Sequence, residues 1–318
     1  EEHDIFLPMI VLEELDAHLD FITGKSQTKG VVIASAKPSI FIAGADLHAL
    51  AALADHPLQP PPAGLGGLVE FGQRVFSRLA DLPIPTVAAI HGACLGGGYE
   101  LCLVCDCRLA SPDHSTKIGL PETQLGILPA WGGCTRLPRL IGLPKALEVI
   151  LGGKTLSARR ALRCGMVDEV VPHERLLDVA CAKVLTGCRA TRRPLQRLKL
   201  LATNNALAAF GMAAFLRGRL WKQTRGHYPA VLKALEVVSR GLTRSVEESL
   251  ASEREAMLEL AQTEACHNLV RTFFLQERAK KLNVAADASR RARDTWKQDE
   301  PREFPLTRPA GTLSPSAG

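Results

Sequence analysis

At 318 residues, 46% apolar and 23% charged, the chain is long enough for a full core and a smaller appendage. Its net charge of +6 is concentrated in 189–199 (RATRRPLQRLK) and 278–293 (RAKKLNVAADASRRAR), stretches without an aromatic residue, so they read as solvated helix and linker, not as a nucleic-acid surface. No apolar run reaches membrane-spanning length, no signal-peptide pattern is present, and nine cysteines lack paired spacing, which together point to reduced thiols and a cytoplasmic protein. Along the chain, apolar residues at helical spacing predict a helix over 9–24 that ends at Gly24. Strands are expected at 30–35, 39–43, 86–90, 106–110 and 167–171. Helices are expected at 46–54, 69–80, 97–104, 144–152 and 158–164. Residues 55–67 (DHPLQPPPAGLGG) read as a Pro/Gly loop over a cleft, 190–282 as helical, and 284–318 as a disordered tail. Alternating short strands and helices with glycine-rich junctions assign the α/β class.

The most informative segment is Gly92-Ala-Cys-Leu-Gly-Gly-Gly-Tyr-Glu100, followed by Pro121-Glu122. Glycines before an apolar run that opens a helix let backbone N–H groups approach a ligand at the positive end of the helix dipole. Glu100 lies one turn on, and Glu122 supplies a second carboxylate. An N–H cradle beside two carboxyls suits acid/base chemistry at an activated carbonyl. The glycine run alone equally fits close packing with two solvated glutamates. A second junction, Ser39-Ile-Phe-Ile-Ala-Gly-Ala-Asp46, can aim the Ala45 N–H into the same cleft and supply the second donor that a thioester oxyanion requires. Cys102-x-x-Cys105-x-Cys107 lies in an apolar run with no second ligand pair, so core thiols are expected there and no metal. His91 reads as a structural residue beside a buried strand, and Arg136 and Arg139 as ion-pair partners near a helix start.

With these pieces together, the chain resembles the enoyl-CoA hydratase/isomerase (crotonase) superfamily. The matching residues are Phe41-Ile-Ala-Gly-Ala-Asp46, Pro85 to Gly92, Gly96-Gly-Gly-Tyr-Glu100, Gly119-Leu-Pro-Glu122, Leu125 to Gly133, Thr135-Arg-Leu-Pro138 and Gly165 to Val170. The resemblance implies a spiral of ββα turns, Glu100 and Glu122 as the catalytic acids, and Ala45 and Gly97 as the oxyanion hole. It places Ala43, Gly44, Asp46, Leu47, Gly96 and Trp131 at the substrate and CoA site. Asp46 serves equally well as a helix N-cap, and Trp131 packs beside the acyl chain or fills the core. Hydration of a trans-2-enoyl-CoA thioester, without NAD or any other cofactor, is the implied activity. Δ3-Δ2-enoyl-CoA isomerisation by one carboxylate is a second capacity.

Beyond residue 190, Thr224 to Ala230, Ala234 to Val238 and the stretch from Ser245 to about Leu282 resemble the segment after the hydratase part of multifunctional fatty-acid oxidation α subunits. The expected organisation is a core over 1–190, a helical region over 191–283 and a tail over 284–318. No strand followed by GxGxxG appears after Leu282, so the NAD-dependent dehydrogenase of such subunits is not expected in this chain. Only Glu1 to Pro8 precedes the first helix, so the family's opening hairpin is expected to be missing or reduced. Both features suggest a fragment or a stand-alone descendant, and leave two roles open: an active hydratase, as a homo-oligomer or with a thiolase β subunit, or an inactive module that serves in assembly with that partner.

Overall fold

The computed structural model describes residues 9–25, 27–44, 63–187, 200 and 202–280. The expected helix at 46–54, residues Ala45, Asp46 and Leu47, loop residues 55–62, the basic stretch 189–199 and the expected tail lie outside them. Contacts divide the chain into Glu1–Thr272 and Phe273–Gly318, and both sheets fall in the first unit. In the second, the rings of Phe273 and Phe274 meet edge-on at 5.6 Å.

The first helix, α1 (Met9–Thr23), buries Leu12 and Leu19, one stripe seven residues apart, against α2 (Ala63–Ala80). Arg78 of α2 pairs with both Asp16 and Asp20 of α1. Helix α2 starts six residues before the expected position and takes in Gly64 to Gly67, which the sequence places in a loop. Burial of Leu65, Val69, Phe76 and Leu79 along one face extends the helix through its glycines, so tertiary packing overrides their weak propensity.

The strands wind between two sheets. β1 (Val31–Ala34), β3 (Thr86–Ile90), β5 (Cys107–Ala110) and β8 (Glu169–Val170) form one parallel sheet. β2 (Ile40–Ile42), β4 (Ala93–Leu95), β6 (Lys117–Gly119) and β7 (Thr155–Ser157) form the other, parallel except for β6–β7. Each turn of the chain thus gives one strand to each sheet, the expected spiral. All five residues of β3 are buried, as a parallel strand covered on both faces requires. Helix α7 (His173–Thr186) covers the first sheet with Leu176, Ala180 and Val184 on Val87, Ala89 and Leu109. The three-residue strands β4, β6 and β7 were not expected, being too short for a periodic signal.

Helices α3 (Gly97–Leu103), α4 (Gly133–Ile141), α5 (Leu143–Gly152) and α6 (Ala158–Cys164) fill the connections. The expected helical region contains α8 (Ala206–Thr224), α9 (Pro229–Gly241), α10 (Val246–Ala261) and helical residues over 264–280. α9 packs on α4, α5, α8 and α10, and α10 also packs on α2 and α4. No helix among the described residues is long and apolar enough to cross a membrane.

Arg108, buried on β5, donates to Asp168 Oδ2 at 2.7 Å and to the Cys105 carbonyl at 2.8 Å, while its own N–H also reaches Asp168 Oδ2 at 2.8 Å. Removing one partner of such a pair strands a buried charge. Asp168→Ala is expected to cost about 3 kcal/mol, the lower end for buried pairs because Asp168 keeps some exposure. Denaturant unfolding measures it, and a loss below about 1 kcal/mol would show that the pair does not tie β5 to β8.

Candidate active site

Parallel pairing of β2, β4 and β6 brings their C-terminal ends to one edge, as Ile42 pairs with Cys94 and Leu95 with Gly119. The residues leaving those ends are Ala43-Gly44, Gly96-Gly97 and Leu120-Pro121-Glu122, so one topological fact gathers most of the expected site. Gly96 N–H donates to the Gly119 carbonyl at 2.9 Å and locks two of the ends together. Gly96 is also the N-cap of α3, at φ 55°, and a Cβ there would lie 3.0 Å from Glu122 Oε1 and 3.5 Å from the Gly44 Cα. Only glycine allows both the turn and that approach. Gly97 is then the first residue of α3, whose leading N–H groups have no intrahelical acceptor.

Glu100, in the first turn of α3, is buried. Its Oε1 accepts from the Trp131 N–H at 2.8 Å and the Gly133 N–H at 2.7 Å. A Cβ on Gly133 would lie 2.9 Å from that oxygen, so glycine is needed there too. Glu122 opens a 3-10 turn (Glu122–Leu125) that Thr123 fixes by donating its hydroxyl to the Ile150 carbonyl at 2.8 Å. Both Glu122 carboxyl oxygens are buried, and no other described residue donates to them.

These environments separate the two acids. Burial pushes Glu100 up to about 7, against the pull of the two amides and of Arg136. Burial and the nearby charge of Glu100 raise Glu122 well above the usual carboxylate range. Near neutral pH the pair therefore holds a proton, and Glu122, the more strongly raised of the two, is the one that keeps it. A third carboxyl, Glu253 of α10, is fully buried beside them and accepts from the Gly132 N–H at 2.8 Å. Its proton affinity is raised to about 8 by burial and by the charge of Glu100.

The structure thus assembles Glu100, Glu122, Gly96, Gly97, Ala43 and Gly44, while Ala45, Asp46 and Leu47 lie outside the described residues. The Trp131 ring is buried edge-on to Phe76 at 5.6 Å and against Gly72, and its backbone holds Glu100. His91 stacks on His173 at 4.6 Å between ring centres. Arg139 donates to the carbonyls of Gly241 and Arg244 at 2.7 and 2.8 Å, so it binds backbone where an ion pair was expected. A helix C-terminal segment offers free carbonyls that a guanidinium fork can reach. Cys102, Cys105 and Cys107 are buried in the core, and the Cys102 thiol donates to the Gly98 carbonyl at 3.2 Å.

The sequence pattern described as "Enoyl-CoA hydratase/isomerase" matches residues 7–205. The chain belongs to the enoyl-CoA hydratase/isomerase family. Among curated proteins, this family member is 43% identical over 286 residues to "Fatty acid oxidation complex subunit alpha" of Vibrio cholerae, covering 87% of the chain and 38% of that protein. To the protein of the same description from Aliivibrio fischeri it is 40% identical over 270 residues, covering 85% of the chain and 37% of the relative. The chain therefore spans less than two fifths of the curated relatives it matches. Among solved structures, the enoyl-CoA hydratase from Bacillus anthracis is 29% identical, with a TM-score of 0.52 over 88% of this chain and 90% of that one. Human mitochondrial delta3-delta2-enoyl-CoA isomerase, at 22% identity, shares the fold, with a TM-score of 0.60 over 87% and 90% of the two chains.

Glu253 and Gln73 were not anticipated. A signal for Glu253 was available: it occupies the apolar stripe of α10, three residues after buried Leu250 and four before buried Met257.

Proposed function

We propose that this chain is a 2-enoyl-CoA hydratase of fatty-acid β-oxidation, adding water to the same face of trans-2-enoyl-CoA to give 3-hydroxyacyl-CoA. One observation carries the reading: two buried carboxyls lie at the mouth of α3, Glu100 held by the amides of Trp131 and Gly133, and Glu122 given no hydrogen bond by any other described residue. Glu100, favoured in its ionised form by those donors, takes a proton from the water as its oxygen bonds to C3. The C2=C3 electron pair moves toward the thioester, giving an enolate. Glu122, favoured in its protonated form, delivers its proton to C2. The Gly97 and Ala45 amides hold the enolate oxygen, and Ala43, Gly44 and Gly96, at the described strand ends, frame the CoA thioester together with Asp46 and Leu47 as the resemblance implies. No cofactor takes part. Incubation of crotonyl-CoA in ¹⁸O-water should place one labelled oxygen on C3, and label in a free carboxylic acid instead would mean thioester hydrolysis.

Isomerisation of a 3-enoyl-CoA would need only one carboxylate, which takes a proton from C2 and returns it to C4, so it is a lesser activity of the same site. The words "complex subunit" in the relatives' description support assembly with a partner, such as a thiolase β subunit, through the helices after residue 205. Co-expression and size exclusion test this, since a chain that never co-elutes with that partner acts alone.

The chain is expected neither to bind NAD nor to oxidise 3-hydroxyacyl-CoA, because its sequence holds no strand–GxGxxG–helix unit to cradle a pyrophosphate. NADH formation from 3-hydroxybutyryl-CoA and NAD would contradict this.

A further inference from the structure

The turn that holds Glu100 is itself held from the other side. Successive amides of Trp131, Gly132 and Gly133 are divided between two buried carboxyls. The outer two donate to Glu100 Oε1 and the middle one to Glu253 Oε2 at 2.8 Å. Alternate amides pointing to opposite sides is what the left-handed Gly132, at φ 116°, permits. A second buried side chain joins the same two elements. Gln73 Nε2 donates to the Ala130 carbonyl at 2.7 Å and to the Leu250 carbonyl of α10 at 2.8 Å.

α10 is fixed in turn. Ser245 and Glu248 close a capping box at its start, and Arg139 of α4 binds the carbonyls that lead into it. The Glu122 turn has a similar backing, because a Cβ on Gly126 would come within 2.7 Å of the Cys266 Cα. Helices outside the family-matched residues 7–205 therefore reach both catalytic turns. An apolar side chain at 253 would fill the space without an acceptor for the Gly132 amide, so packing alone does not account for a glutamate there.

We infer that Glu253 is a positioning residue: by accepting the Gly132 N–H it fixes the Trp131–Gly133 turn so that the two flanking amides stay aimed at Glu100. The inference rests on the hydratase reading for its effect on rate, but its structural part can be read without activity.

The test compares the full-length chain with Glu253→Met and Glu253→Gln. Met fills a similar volume without a carboxyl acceptor, whereas Gln keeps an acceptor oxygen for Gly132. In Glu253→Met, amide hydrogen exchange in the segment 127–135 should rise at least about tenfold. With crotonyl-CoA, kcat should fall about 10- to 100-fold with KM within about threefold, since a misaimed base slows the step without loosening CoA. Glu253→Gln should recover most of both losses. Increased exchange would support the inference even if the wild-type chain failed to hydrate crotonyl-CoA, an outcome that would count only against the hydratase reading. Unchanged exchange and kcat in a folded Glu253→Met protein would overturn it, as would a Gln variant no better than Met. If Met does not fold, Glu253→Ala takes its place. Unfolding of both truncations would also overturn the inference, by showing that the residue supports the whole core and not the turn.

Discussion

Replacing Glu122 by Gln is expected to reduce hydration of crotonyl-CoA by at least about two orders of magnitude while acyl-CoA binding is largely retained. Gln matches the shape of the side chain, so the 3-10 turn and its Thr123 anchor should survive. What is lost is the only proton at that position that can be given to C2. Glu100→Gln should have a similar effect on hydration, because the amide oxygen can still accept from Trp131 and Gly133 but the side chain can no longer take a proton. It can leave isomerisation of a 3-enoyl-CoA intact, which separates the two roles. The pH profile gives the sign. Glu100 must be ionised, so kcat/KM should rise as pH passes through about 7. Glu122 must be protonated, so the rate should fall again at higher pH as that proton is lost. The rising limb should vanish in Glu100→Gln. Either amide variant retaining a near-normal hydration rate would remove that residue from its role.

Gly97→Pro is the second large effect. Gly97 is the first residue of α3, a position that tolerates proline's fixed φ, so the substitution removes the N–H donor with little cost to the helix. Loss of one oxyanion donor typically lowers the rate by about two to three orders of magnitude. The loss should lie in kcat more than in KM, because the donor is better matched to the enolate than to the ground-state carbonyl. Thermal melting in parallel shows whether the turn at Gly96 is disturbed. A folded Gly97→Pro protein with unaltered turnover would exclude Gly97 from the oxyanion hole.

The parts of the molecule legible in the sequence are those with local causes. Val87 to Ile90 reads as a buried strand because it is a short apolar run between turn signals, and Gly24 marks the end of α1. The turns that lead to Glu100 and Glu122 were legible because Gly96 to Gly98 precede the first and Pro121 the second. Their convergence depends on β4 pairing with β6, and β4 and β6 are too short for their own sequences to announce. The start of α2 is hidden in the sequence because Gly64, Gly66 and Gly67 are weak helix formers locally, yet Leu65 and Val69 are buried with the rest of that face. Arg139 reads as an ion-pair partner because its carbonyl partners lie about a hundred residues away in sequence and leave no local signal. Glu253 illustrates the same limit. Its position in an apolar stripe was visible, but its contact with Gly132 spans 121 residues and appears only once α10 is laid on α4.

The hydration assay of the unmodified chain bears most directly on the central claim that Glu100 and Glu122 form a working acid/base pair. Purified protein is mixed with crotonyl-CoA, and the absorbance of the conjugated enoyl thioester is followed. The account predicts a catalytic fall in absorbance to the hydration equilibrium, with 3-hydroxybutyryl-CoA as the product. An unchanged absorbance from protein shown to be folded would contradict it.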